Sequence, residues 1–111
     1  MDKKRRISKE KRRLQTVFAE IDANQLKIVQ PLIERAAFII ISLQNLEDEL
    51  NEKGWTEEYQ NGENQYGVKK AAAADVHISL TKNLTSIIKQ LLELTPPAQK
   101  KDSRLQALMR E

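Results

Sequence analysis

Apolar residues recur at spacings of three and four along most of this 111-residue chain. That rhythm marks helices that bury one face. The first series is Leu14, Val17, Phe18 and Ile21, which predicts a helix over about 8–21 with Ser8 as its N-cap. The second is much longer: Leu26, Val29, Ile33, Ala36, Ala37, Ile40, Leu43, Leu46 and Leu50. It predicts a helix from about 23 to 53, opened by Asp22 with Gln25 completing a capping box, and closed by Gly54. Pro31 lies inside this series, so the helix either kinks there or begins there. The third series, Val68, Ala72, Val76, Leu80, Leu84, Ile87, Ile88, Leu91 and Leu94, predicts a return helix over about 68–94, ended by Thr95-Pro96-Pro97.

Between the two long helices the polar stretch 54–67 contains Asn61-Gly62 and Tyr66-Gly67, dipeptides that mark turns. The expected fold is all-α: an N-terminal helix, then a long antiparallel helical hairpin (about 23–53 and 68–94), each arm approaching 40 Å at about 1.5 Å per residue. The chain divides into a basic N-terminal segment with the first helix (1–22), the hairpin (23–95) and a tail (96–111). Residues 1–7 are expected to be flexible. The tail either forms one short helix through Leu105, Leu108 and Met109 or stays unstructured. The run AAFIII at 36–41 is apolar around most of the helix circumference, which implies burial on more than one side. Either the first helix or another subunit must cover the second side. A charge at Ile40 is expected to dissociate the assembly or unfold the chain.

Composition supports helices over a β-sandwich. Hydrophobic residues make up 40%, but only 5% are aromatic and 32% are charged, which suits aliphatic seams on amphipathic helices. The chain has no cysteine, which excludes disulfides and thiolate metal sites and fits a reducing compartment. No apolar run approaches the roughly 20 residues of a membrane span, and the basic N-terminus lacks the apolar region of a secretory signal. A soluble, intracellular protein is therefore expected, without a membrane partner.

The net charge of +3 is strongly polarised. Residues 1–13 carry eight cations, Lys3, Lys4, Arg5, Arg6, Lys9, Lys11, Arg12 and Arg13, against Asp2 and Glu10, a net of +6. From Asn45 to Tyr66 seven acids oppose only Lys53, a net of −6. The basic segment can neutralise phosphates and release counterions, giving sequence-independent, salt-sensitive binding to nucleic acid. The plainer reading is a solvated tail.

Catalytic chemistry is largely missing. His77 is the only histidine, so one subunit cannot build a His pair or a multi-His metal site. Glu57, Glu58, Asn61, Glu63 and Asn64 do not follow the calcium-loop spacing, and no glycine-rich loop ends in Lys-Ser/Thr. Trp55, Tyr59 and Tyr66 either pack the connection onto the helix ends or form a small recognition surface. No enzyme activity, cofactor or metal is expected.

The stretch 54–97 resembles the C-terminal half of the terminase small subunits of tailed phages and prophages of low-GC Gram-positive bacteria. The residues that carry the likeness are Glu58-Tyr59-Gln60-Asn61-Gly62, Gly67-Val68-Lys69-Lys70, Lys82-Asn83 and Ile87-Ile88-Lys89-Gln90-Leu91-Leu92. Where such proteins have Ser-Pro or Asn-Pro after the lysines, this chain has Ala71 to Ala74. The resemblance implies a non-catalytic, ring-forming subunit in the bacterial host cytoplasm. Such a subunit binds double-stranded phage DNA and regulates a large subunit that holds the ATPase and nuclease. It implies that the eight N-terminal cations contact DNA, although no helix-turn-helix is legible in the first 30 residues. It also implies inter-subunit packing by the hairpin, through Ile33, Phe38, Ile40, Leu43, Leu80, Leu84, Ile88 and Leu91. The alternative is a structural module whose hairpin binds a partner helix and whose basic tail is incidental.

Overall fold

The computed structural model describes residues 2–60, 62, 63 and 65–96. Asn61 and Asn64, Pro97 and the tail segment with Leu105, Leu108 and Met109 lie outside them. Three helices carry the fold: α1 (Lys3–Val17), α2 (Leu26–Lys53) and α3 (Ala72–Glu93), with a β-hairpin of β1 (Thr56–Gln60) and β2 (Tyr66–Lys70) between α2 and α3. Lys11 meets Glu34 and Arg6 meets Asn45, so α1 runs antiparallel to α2. His77 meets Glu47, while Asn83 and Ile87 lie beside Arg35 and Ile39, so α3 runs antiparallel to α2 as well. The result is elongated, 63 × 29 × 25 Å, with α2 as the shared strut.

The first helix starts five residues earlier than its apolar spacing predicts. Asp2 caps it, accepting the Arg5 backbone N–H at 2.8 Å, and Ser8 lies inside the helix instead of capping it. Lysine and arginine are good helix formers, so one acidic cap is enough to order residues 3–7. The earlier start adds Ile7 to the buried side, seven residues before Leu14. The helix also ends sooner, at Val17, and Phe18 and Ile21 enter the core from the following turns.

Asp22 does start the second helical segment, but through a short 3-10 turn at Ala23–Gln25, with its carboxylate accepting the Asn24 N–H at 2.9 Å. Pro31 sits within α2, which continues through it. A proline there has no N–H for the Lys27 carbonyl, a local loss that the long apolar face of α2 outweighs. Gly54 ends the helix at φ 95°, a conformation that disfavours any side chain, and its N–H closes on the Leu50 carbonyl at 2.7 Å.

The core answers the question posed by the run at 36–41. Ala36, Ala37 and Ile39 belong to one buried cluster with Leu14, Val17 and Phe18 and with Ile87 and Leu91, and both α1 and α3 pack against α2. Helix α1 therefore covers the second side within a single chain. Leu14 and Leu91 are both fully buried where the three helices meet. Burying each such leucine contributes about 1.5–3 kcal/mol. Ile40 is only half-buried against this core, and the better-buried neighbours are Ala36, Ala37 and Ile39.

The connection is where expectation and structure part. Residues 56–60 and 66–70 form an antiparallel hairpin in the register Thr56↔Lys70 to Gln60↔Tyr66, not a series of turns. The ladder is extended by the Ala71 N–H bonding to the Trp55 carbonyl at 3.0 Å. Val68, which its spacing assigns to the seam of the return helix, lies in β2 and is 66% exposed. Helix α3 begins only at Ala72, and Val76 on its first turns is also exposed. Tyr59 explains the strand's local logic. Its ring lies over Gly67, where an added Cβ would come within 2.5 Å of Cζ, so the aromatic occupies the space that glycine leaves open.

Candidate nucleic-acid interface

Because α1 is helical from Lys3, its eight cations are sorted by angle around the helix instead of lying along a tail. Half of them face α2 or its neighbours. The Arg6 guanidinium donates to Asn45 Oδ1 at 2.6 Å and to Gln44 Oε1 at 2.7 Å. Lys11 pairs with Glu34 at 2.9 Å. The Lys3 ammonium stands 4.7 Å above the ring of Phe38. Arg13 donates through Nε to Glu10 at 2.7 Å, and Glu10 is itself buried. These four fasten α1 to α2 or neutralise a buried acid.

The other four, Lys4, Arg5, Lys9 and Arg12, project from the opposite face. Together with Asp2 and Ser8 they line one shallow groove on the outer surface of α1. Their spacing of i, i+1, i+5 and i+8 keeps them within one side of the helix. Among the described residues no ion pair engages any of the four. From Arg5 to Arg12 the axial distance is about 10 Å at 1.5 Å per residue. The face therefore presents a short cationic stripe with a hydroxyl at its centre, held rigidly by the apolar packing behind it. Cations so placed neutralise a polyanion's phosphates without reading bases.

Glu47, Asp48, Glu49 and Glu52 lie on the last turns of α2, while Glu57 and Glu58 lie on β1. Glu49 pairs with Lys53 at 3.7 Å and Glu57 with Lys69 at 3.8 Å. His77 Nε2 is 2.9 Å from Glu47 Oε2, and the Trp55 ring meets the His77 ring edge-on with centroids 5.4 Å apart. The single histidine thus joins α3, α2 and the base of the hairpin. Trp55 packs the connection onto a helix end, whereas Tyr66 is 71% exposed on the hairpin. Among the described residues no cluster of three or more His, Asp or Glu is arranged to hold a metal ion, and no helix is long and apolar enough to cross a membrane.

Comparison with protein-family models, with curated proteins and with solved structures gives no match for this chain.

The hairpin residues expected at subunit contacts divide in a similar way. Ile33, Leu43 and Leu91 are buried inside the chain, and Ile40, Leu80, Leu84 and Ile88 pack half-buried against the same core. Phe38 is exposed apart from the Lys3 ammonium above it. Sequence reasoning did not separate structural cations from outward ones. The separating signal was present in Ile7, whose spacing to Leu14 fixes which side of residues 3–13 is buried.

Proposed function

We propose that this chain is a non-catalytic DNA-binding subunit that assembles into an oligomer, in the manner of the phage terminase small subunits its sequence resembles. The observation that carries this reading is the outward stripe of Lys4, Arg5, Lys9 and Arg12, four charges fixed on one rigid helix face and free of ion pairs among the described residues. Such a face engages the phosphates of double-stranded DNA through charge alone. In a ring several stripes would present together, so individually weak contacts would add through effective concentration. Regulation of a motor subunit and action in the host cytoplasm belong to the same reading and rest on the resemblance.

Light scattering after size exclusion, with and without a DNA duplex, tests it. The expected result is an assembly larger than a dimer whose mass increases when the duplex is added. A monomer indifferent to DNA would remove the packaging reading. It would favour the second one, a helical module that binds a protein partner. The exposed apolar side chains of Leu26 and Ile28 at the start of α2 are the observation on that side.

A further inference from the structure

The hairpin is the part of the described structure with the least local support. Its two strands pair only with each other, and every residue of β1 and all but Gly67 of β2 are exposed. A lone two-stranded hairpin is marginal in water, and its open edges are templates for a further strand. On one face Val68 and Tyr66 lie side by side in solvent. The two edges differ in sign. Strand β1 carries Glu57 and Glu58 and no cation, and β2 carries Lys69 and Lys70 and no acid.

We propose that copies of this chain associate head to tail through the hairpin, the β1 edge of one copy adding to the β2 edge of the next in a continuous antiparallel sheet. Charge selects this arrangement. A β1 edge on another β1 edge sets glutamate against glutamate, and β2 on β2 sets lysine against lysine; only β1 on β2 places opposite charges across the new ladder. Unlike edges make a heterologous contact, which closes into a ring when the rotation between copies allows. The existing ion pairs do not prevent it. Lys69 is 3.8 Å from Glu57 and Lys70 is 3.0 Å from Asp75, with all four side chains roughly half exposed, and such pairs exchange at little cost. Glu58 has no ion pair among the described residues. The inference rests on the proposed assembly for the existence of an oligomer, but it uses no residue of the DNA-facing stripe.

The test uses the full chain and a variant in which every hairpin ion pair is reversed, E57K/E58K/K69E/K70E/D75K. The reversal keeps each hairpin internally complementary, so the variant retains its own fold, which circular dichroism verifies. Fifteen-nitrogen-labelled wild type is mixed with the variant, dissociated and reassembled, and examined by native mass spectrometry. Each protein is expected to assemble with itself at the wild-type mass, with loss of mixed species, because wild-type and reversed edges repel. Random mixing at the wild-type mass would overturn hairpin pairing and leave the assembly intact. A wild type that remains monomeric would overturn both the pairing and the oligomeric reading.

Discussion

Arg5 and Arg6 are neighbours in the chain with opposite surroundings. Arg6 bridges to Gln44 and Asn45 on α2, and Arg5 points into the outer groove. Truncating Arg6 to alanine removes charge-assisted hydrogen bonds at a partly buried site and should cost about 1 kcal/mol of stability. Arg5→Ala should leave urea unfolding unchanged but lower the salt slope of DNA binding by about one, as expected for a lost phosphate contact. If both substitutions act alike in both assays, the division of α1 into two faces is wrong. Ser42 offers an independent check on packing. Its hydroxyl is buried and has no hydrogen-bond partner among the described residues, so Ser42→Ala should leave thermal stability unchanged or raise it by up to about 1 kcal/mol.

At the scale of elements, the long helices were legible and the strands were not. The nine apolar positions from Leu26 to Leu50 held α2 in place because six turns of consistent spacing outweigh one proline. Helix α1 was legible in type but not in extent, since its first two turns are almost wholly charged and their only apolar marker is Ile7. The hairpin is hidden from a reading by period because Val68, Ala72 and Val76 continue a helical spacing by coincidence across its last strand. The decisive contact is a cross-strand one, Tyr59 over Gly67, which period alone does not reveal. Gly67→Ala should force the ring away and loosen the hairpin. Amide hydrogen exchange is expected to lose protection over 56–60 and 66–70 while α1 to α3 keep theirs. Retained protection in the strands would show that Tyr59 does not hold them.

For the whole molecule, one core at the junction of α1, α2 and α3 ties the outward cationic stripe to the two long helices. Leu91 is fully buried there beside residues from both other helices. Leu91→Ala should cost about 2–5 kcal/mol by leaving a cavity, and in a domain of this size that can unfold the chain. The site itself was only half legible in the sequence. The cation run marks the segment that carries the outward stripe, yet four of its eight members are occupied in fixing the helix that displays the rest.

That division sets the most direct measurement: duplex affinity as a function of salt for the wild-type chain and for K4A/R5A/K9A/R12A. Four phosphate contacts per engaged chain correspond to a log–log slope of about −3.6, against about −7 if all eight cations took part. The wild type should show a slope of about −3.6 for each chain whose stripe engages the duplex. The variant should remain helical, keep its assembly mass and lose most of its DNA affinity. A folded variant that binds the duplex as tightly as the wild type, with the same slope, would contradict the outer face of α1 as the interface.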